Sequence, residues 1–124
     1  WRAVHEAVEN GLEQGSLPYV VGVPLRMVES WALGDADALE QVAGRSVSLP
    51  GGSPELLWGA KRDDGSNYPK HVLQRALDDE PNAEVFAQIA SAADLDVIAN
   101  RCPVSFAPFL NALRSTASIC TTVP

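Results

Sequence analysis

The sequence of 124 residues predicts a mainly α-helical fold: a compact bundle of about five to seven short helices in a single domain, residues 1–124. Three observations support this prediction. Apolar residues recur at helical spacing in several segments. Glycines and prolines interrupt the chain at short intervals, which keeps each helix short. Hydrophobic residues make up 46% of the chain and charged residues 20%, as in ordinary folded domains.

The N-terminal segment predicts an amphipathic helix. Its apolar side chains recur every three or four residues, at Trp1, Val4, Val8 and Leu12. Gly15 and Pro18 end this helix. The sequence YVVGV at residues 19–23 is short and β-branched, which predicts a strand or a buried connector. A second helix is expected to begin near Pro24 and to stop at Gly34.

Capping residues mark the elements in the middle of the chain. Asp35 is the expected N-cap of a short helix that stops at Gly44. Ser53, which is followed by proline and glutamate, predicts the start of another short helix. The polar segment KRDDGSNYP comes next and predicts an exposed loop, in which Asn67 caps the following helix.

The strongest helical periodicity lies in the second half of the chain. Two apolar stripes predict two helices, one with Val72, Leu73, Ala76 and Leu77, and one with Val85, Phe86, Ile89, Ala90 and Ala93. We expect Phe86 and Ile89 in the core because they are central on their stripe. A short helical turn and a last helix follow. Short strands at 19–23, 45–49 and 103–107 would make the fold α+β instead.

The two cysteines, Cys102 and Cys120, predict a disulfide that ties the tail to the entry of the last helix. Closing a loop of this size stabilises a fold by roughly 3 kcal/mol in the chain-entropy model. Such a bridge would place the protein outside the cell, as a secreted or extracellular protein. Two buried free thiols, or a reactive or metal-bound cysteine, are the alternatives.

No motif in the chain has the spacing of a metal, cofactor or catalytic site. A zinc site needs about four ligands, and besides the cysteines only His5 and His71 are available. The segment DDGSN at residues 63–67 has calcium-type oxygens without the EF-hand spacing. His5 lies one helical turn before Glu9, which predicts a surface pair rather than a proton-transfer pair. We therefore expect no cofactor, no metal and no catalytic residue.

The formal net charge of −7 disfavours nucleic acid as a partner, because lysine and arginine supply most of the affinity for a phosphate backbone. No apolar run approaches the roughly 20 residues that span a bilayer. The positive charge is clustered at one place, which we take as candidate binding residues: Lys61, Arg62, Lys70, His71 and Arg75. Acidic neighbours interrupt this cluster. A protein or glycan partner is expected, and the oligomeric state stays open.

These features favour a secreted module that binds a protein or a surface polymer and has no catalytic centre of its own. Trp31 and Trp58 are candidate binding residues for such a partner. A carrier of a small apolar ligand is the first alternative, with a pocket formed by residues such as Trp31, Trp58, Phe86 and Phe109. One chain of a processed enzyme is the second, since the sequence starts at Trp1 rather than at methionine.

Residues 76–113 contain DLD and then FAP in an order that resembles the opening of a fasciclin-type adhesion domain. The resemblance implies that Phe106, Ala107 and Pro108 end a strand. It covers under a third of the chain, and the eleven residues after Leu113 are too few for the rest of such a domain.

Overall fold

A computed structural model describes the backbone of residues 1–13 and 17–122, and the side chains of residues 1–13 and 17–118. Within these ranges the chain forms a mainly helical single domain with seven α-helices and no strand, which confirms the predicted fold class. The helices are α1 (Arg2–Leu12), α2 (Val28–Ala32), α3 (Ala36–Ala43), α4 (Pro69–Leu77), α5 (Ala83–Ala92), α6 (Leu95–Arg101) and α7 (Phe106–Thr122). A short 3₁₀ turn covers Pro54–Leu56.

Side chains cap several helix starts, because the first N–H groups of a helix have no partner inside it. The Asp35 carboxylate accepts from the N–H groups of Asp37 and Ala38 at the start of α3. Gly44 ends the same helix in the left-handed region, at φ 72°, as expected for a glycine stop. The predicted cap at Asn67 is wrong: Tyr68 precedes α4.

The three predicted strands do not form, and the α+β alternative is wrong for the described residues. A strand needs a neighbouring strand that pairs with its backbone groups. In residues 45–49, the N–H of Val47 donates instead to the Glu40 side chain at 3.2 Å. In residues 19–23, the carbonyl of Val23 accepts from the Trp1 indole. Residues 103–107 form a turn that leads into α7, so the FAP sequence lies in a helix rather than at the end of a strand.

The core consists of two clusters. Helix α3 packs against α4 and α5, and α2 packs against α4, α5 and the 3₁₀ turn. The first cluster comprises Ala32, Leu33, Leu39, Val72, Leu73 and Ile89, and the second comprises Ile98, Cys102, Phe106 and Leu110, where α6 packs on α7. Ile89 is 3% exposed, as expected for a core residue. Phe86 is only half-buried, because it lies at the edge of the first cluster.

Helix α1 presents its apolar stripe to solvent. Val4, Val8 and Leu12 are 55%, 42% and 40% exposed. The half-buried side chains of this helix are His5 and Glu9, so its polar edge faces the rest of the domain. No helix in the described ranges is long and apolar enough to cross a membrane.

Candidate functional site

An apolar cleft lies between helices α2, α5, α6 and α7. Its volume is about 230 Å³. Ten apolar residues line it: Val28, Trp31, Ala32, Phe86, Ile89, Ala90, Ala93, Leu95, Ile98 and Phe106. The indole N–H of Trp31 donates to the Ser105 hydroxyl at 2.8 Å, so it is not free for a ligand. The lining can therefore contact apolar groups of a bound molecule, and it offers that molecule no charged group.

The size of this cleft limits what it can hold. A protein cavity of about 150 Å³ holds a benzene molecule, and pockets for drug-sized ligands begin at about 300 Å³. A cleft of about 230 Å³ lies between these values and suits one large apolar group. Val28 and Leu95 line the cleft and are exposed, so the apolar surface continues to the rim.

A second cleft of about 230 Å³ lies between α1, residues 19–21 and the start of α7. Its lining combines three aromatic residues, a histidine and one carboxylate with small and aliphatic side chains: Trp1, His5, Glu9, Tyr19, Val20, Val21, Ser105, Pro108, Phe109 and Ala112. We call it the aromatic–acidic cleft. Nδ1 of His5 lies 3.7 Å from Oε2 of Glu9, so the predicted pair is present at one edge. Desolvation, followed by the charges of Glu13 and Glu9, raises the pKa of Tyr19.

A histidine beside a carboxylate would favour the enzyme hypothesis if a reactive hydroxyl were available to it. The serine hydroxyl in this cleft is that of Ser105, which is buried. Its oxygen accepts from the N–H of Leu25 at 3.0 Å and from the Trp31 indole, and its proton is donated to the Glu55 carboxylate. Both lone pairs and the proton are thus in use, and Ser105 holds the structure together instead of acting as a nucleophile.

The role of Glu55 could not be predicted from the sequence. Its side chain is fully buried and accepts from the N–H of Val104 at 2.9 Å and the N–H of Ser105 at 2.7 Å, as well as from the Ser105 hydroxyl. These groups immediately precede α7, so Glu55 caps this helix from 50 residues away. No local pattern signals such a contact, because the sequence places Glu55 only in a short helical turn.

The predicted basic cluster is largely committed to contacts within the domain. Arg75 donates to the carbonyls of Asp64 at 2.6 Å and Ser66 at 2.9 Å. Lys70 lies 3.6 Å from Glu80. His71 is buried, and its Nδ1 lies 3.3 Å from the Ser66 hydroxyl. Lys61 and Arg62 are exposed in the loop before α4.

His71 has one tautomer that satisfies its surroundings. The Ser66 hydroxyl donates to the carbonyl of Ala60 at 2.7 Å, so it has no second proton for His71. Nδ1 of His71 is therefore the donor in the contact with Ser66. The same hydroxyl also accepts from the N–H of Tyr68 at 3.3 Å. This serine and histidine form a structural link rather than a nucleophile and its base.

The four aromatic residues predicted to line one pocket lie in three places. Trp31 and Phe86 line the apolar cleft. Phe109 lines the aromatic–acidic cleft and stacks on Trp31 at 5.3 Å. Trp58 lies apart, is 53% exposed, and carries the guanidinium of Arg26 at 4.9 Å from its ring centroid. Of the four, Trp31 and Phe86 share a cleft.

Cys102 is a free, fully buried thiol, and the predicted disulfide with Cys120 is wrong for this structure. The carbonyl of Cys102 accepts from the N–H of Phe106, which places Cys102 beside the first turn of α7. Position 120 lies in the same helix, about 21 Å further along its axis at about 1.5 Å per residue. Bridged cysteines need Cα atoms within about 7 Å. The side chain of Cys120 lies outside the described residues.

The thiol of Cys102 contacts the carbonyl of Ser30, with Sγ at 3.7 Å from the oxygen. Burial, with the nearby charge of Glu55, raises the pKa of Cys102 to about 12. The group therefore stays protonated and behaves as a core side chain. In the part of the chain that the structure describes, no group of three or more His, Cys, Asp or Glu side chains is placed to hold a metal ion.

Comparisons with protein-family models, with curated proteins and with solved structures found no match.

Proposed function

We propose that this chain is a protein-interaction module whose apolar cleft receives one large apolar side chain of a partner protein. The observation that supports this proposal is the lining of the cleft, in which all ten residues are apolar and the indole N–H of Trp31 is already bonded. Interfaces often depend on a few aromatic or aliphatic anchors that fill such clefts. A glycan would need hydrogen-bonding groups, and this lining supplies none.

The shape of the cleft favours an anchor side chain over a free ligand. A carrier buries most of the surface of its ligand, which an enclosed cavity does best. This cleft is open, and exposed Val28 and Leu95 lie at its rim. An amphipathic helix of a partner would cover the rim with its neighbouring apolar residues while its anchor enters the cleft.

The exposed stripe of α1 is further apolar surface suited to a partner. Val4, Val8 and Leu12 lie on one side of this helix, and their exposure is unusual for the apolar face of an amphipathic helix. Large exposed apolar patches mark interaction surfaces in soluble proteins. The predicted export rests on the disulfide, and the free thiol of Cys102 removes that support.

The test uses a library of helical peptides displayed on phage, each with a single central Trp, Phe or Leu. Selected peptides are then measured by fluorescence polarisation against two variants of α5. Ala90→Phe fills the cleft, whereas Ala87→Phe adds the same ring at an exposed position outside it. We expect Ala90→Phe to weaken peptide binding at least tenfold and Ala87→Phe to change it less than twofold.

Other outcomes assign the cleft differently. Selected peptides that bind both variants equally well would contradict the proposal, because they would bind elsewhere. If no peptide is selected and naphthalene binds saturably in a way that Ala90→Phe abolishes, the chain is a carrier of small apolar ligands. Circular dichroism confirms that both variants keep their helical content.

A further inference from the structure

We infer that the aromatic–acidic cleft binds a small alkylammonium ion. This inference rests on residues of α1, α7 and the extended segment between α1 and α2, and it goes beyond the proposed protein interaction. It combines three features: aromatic residues that line a common space, a carboxylate at its edge, and an acidic protein around it. Aromatic rings attract organic cations through the negative faces of their π systems, and a carboxylate supplies the opposite charge.

The aromatic walls are held in place by contacts with neighbouring groups of the domain. The Trp1 indole N–H donates to the carbonyl of Val23, and the rings of Trp1 and His5 are 5.1 Å apart. Phe109 stacks on Trp31 with an angle of 14° between the rings. These contacts fix two of the rings before any ligand arrives, so binding orders few side chains.

Gly22 lets the extended segment between α1 and α2 pack close to the Phe109 ring. A Cβ at this position would lie 2.8 Å from Cδ2 and Cε2 of Phe109. The backbone of the extended segment can therefore approach the Phe109 ring only because residue 22 has no side chain. This approach places Tyr19, Val20 and Val21 along the cleft.

The charges at the cleft select a cation. Glu9 lines it, and the pKa of Tyr19 is raised by desolvation and then by the negative charges of Glu13 and Glu9. The 3.7 Å between His5 Nδ1 and Glu9 Oε2 is longer than a hydrogen bond, so the carboxylate keeps acceptor capacity for a ligand. Burying this carboxylate under a neutral ligand would be unfavourable, whereas a cation compensates for the lost hydration.

The volume sets the size of the ligand. About 230 Å³ is larger than the roughly 150 Å³ that holds benzene, so an ion of about six to ten non-hydrogen atoms fits. Choline is a suitable probe, and 3,3-dimethyl-1-butanol is its neutral counterpart of the same shape. The difference in affinity between these two molecules isolates the contribution of the positive charge.

The experiment titrates both probes into the full chain at matched ionic strength and follows chemical shifts by two-dimensional NMR. We expect saturable shifts around α1, residues 19–23 and the start of α7 with choline, and at least tenfold weaker binding of the neutral alcohol. Glu9→Gln should weaken choline binding about tenfold. Glu6→Gln, on an exposed part of the same helix, is the matched control and should change it less than about twofold.

Several results would overturn the inference. Equal binding of choline and the alcohol would show that charge is not recognised. An equal loss in Glu9→Gln and Glu6→Gln would indicate general attraction to an acidic protein instead of a site. If Glu9→Gln fails to fold, Glu9→Asp keeps the charge and should retain most of the affinity, and loss of binding in that folded variant also overturns the inference. Peptide binding to the apolar cleft is tested separately, so either proposal can fail alone.

Discussion

The apolar cleft and the aromatic–acidic cleft have the same volume, about 230 Å³, and opposite chemistry. The first lies between helices that turn apolar faces to one another. The second lies where α1 turns its polar edge inward against an extended segment. The difference teaches that the chemistry of a cleft depends on which face of each helix is turned inward. A volume alone says little about what a cleft can bind.

The two clefts are separated by one wall of aromatic rings. Trp31 packs edge-on against Phe106 at 5.1 Å and stacks on Phe109. Trp31 and Phe106 line the apolar cleft, and Phe109 lines the other. Both clefts therefore depend on the position of α7. Some substitutions should disturb both clefts, and others should disturb only one.

Replacing Glu55 should disturb both clefts and have the largest effect. Glu55→Gln leaves donors at the start of α7 facing an amide NH₂ group, and each unsatisfied buried group costs about 1–3 kcal/mol. We expect the free energy of unfolding to fall by about 3 kcal/mol in urea denaturation. Probes of both clefts should bind more weakly. The exposed Glu84→Gln is the control, and a change below about 1 kcal/mol in Glu55→Gln would contradict the capping role.

Replacing Gly22 should disturb only the aromatic–acidic cleft. In Gly22→Ala the new Cβ meets the Phe109 ring at 2.8 Å, so the extended segment must move away. Overpacking of this kind costs about 1–3 kcal/mol. We expect weaker choline binding and unchanged peptide binding to the apolar cleft. Gly51→Ala is a matched control, since a Cβ there meets no atom within 4 Å. Loss of both activities in Gly22→Ala would mean that the wall does not separate the clefts.

Labelling of Cys102 tests how often the packing of Trp31, Phe106 and Phe109 around this thiol opens to solvent. The expected rate of modification is very low, so this is the smallest of the predicted effects. The thiol has a pKa of about 12 in the folded state against an ordinary value of 9.0. Its thiolate fraction at pH 8 is therefore about a thousandfold lower, and iodoacetamide should modify it very slowly in the native protein. Mass spectrometry of the peptide that contains Cys102 measures this rate. Rapid modification would show that the aromatic packing around Cys102 opens often.

The raised pKa of Cys102 also predicts how the stability of the fold changes with pH. The folded state holds the thiol proton of Cys102 more tightly than the unfolded state does. Its contribution to stability is therefore complete below about pH 9 and decreases as the pH rises from there towards 12. Unfolding midpoints measured between pH 8 and pH 11 check this sign, with Cys102→Ala as the reference. An equal decrease in both proteins would assign the effect to other groups.

Elements that depend on neighbouring residues were predictable from the sequence. Asp35 and Gly44 bound α3 as expected, because a cap and a left-handed glycine act within a few residues. The stripes of α4 and α5 likewise identified two helices. The predicted strands at 19–23 and 45–49 failed, since strand formation depends on a partner that the local pattern does not contain.

Features of the candidate sites depend on distant residues, and this limited what the sequence could predict. The pattern of α1 identified an amphipathic helix and gave no information on which edge would face the domain. The contact of Glu55 with Ser105 joins residues 50 positions apart. The four aromatic residues expected in one pocket lie in three places, because the wall of Trp31, Phe106 and Phe109 divides the space.

The buried carboxylate of Glu55 also constrains when this domain can fold. Its donors are in residues 104 and 105, and the hydroxyl of Ser105 in turn accepts from groups 74 and 80 positions away in the sequence. A nascent chain that ends before these residues would have to bury an unpaired charge in order to close its core. Closing such long loops is slow compared with forming local helices. The helices α3 to α5 are therefore expected to form early during synthesis, and the tight native core only after α7 has left the ribosome.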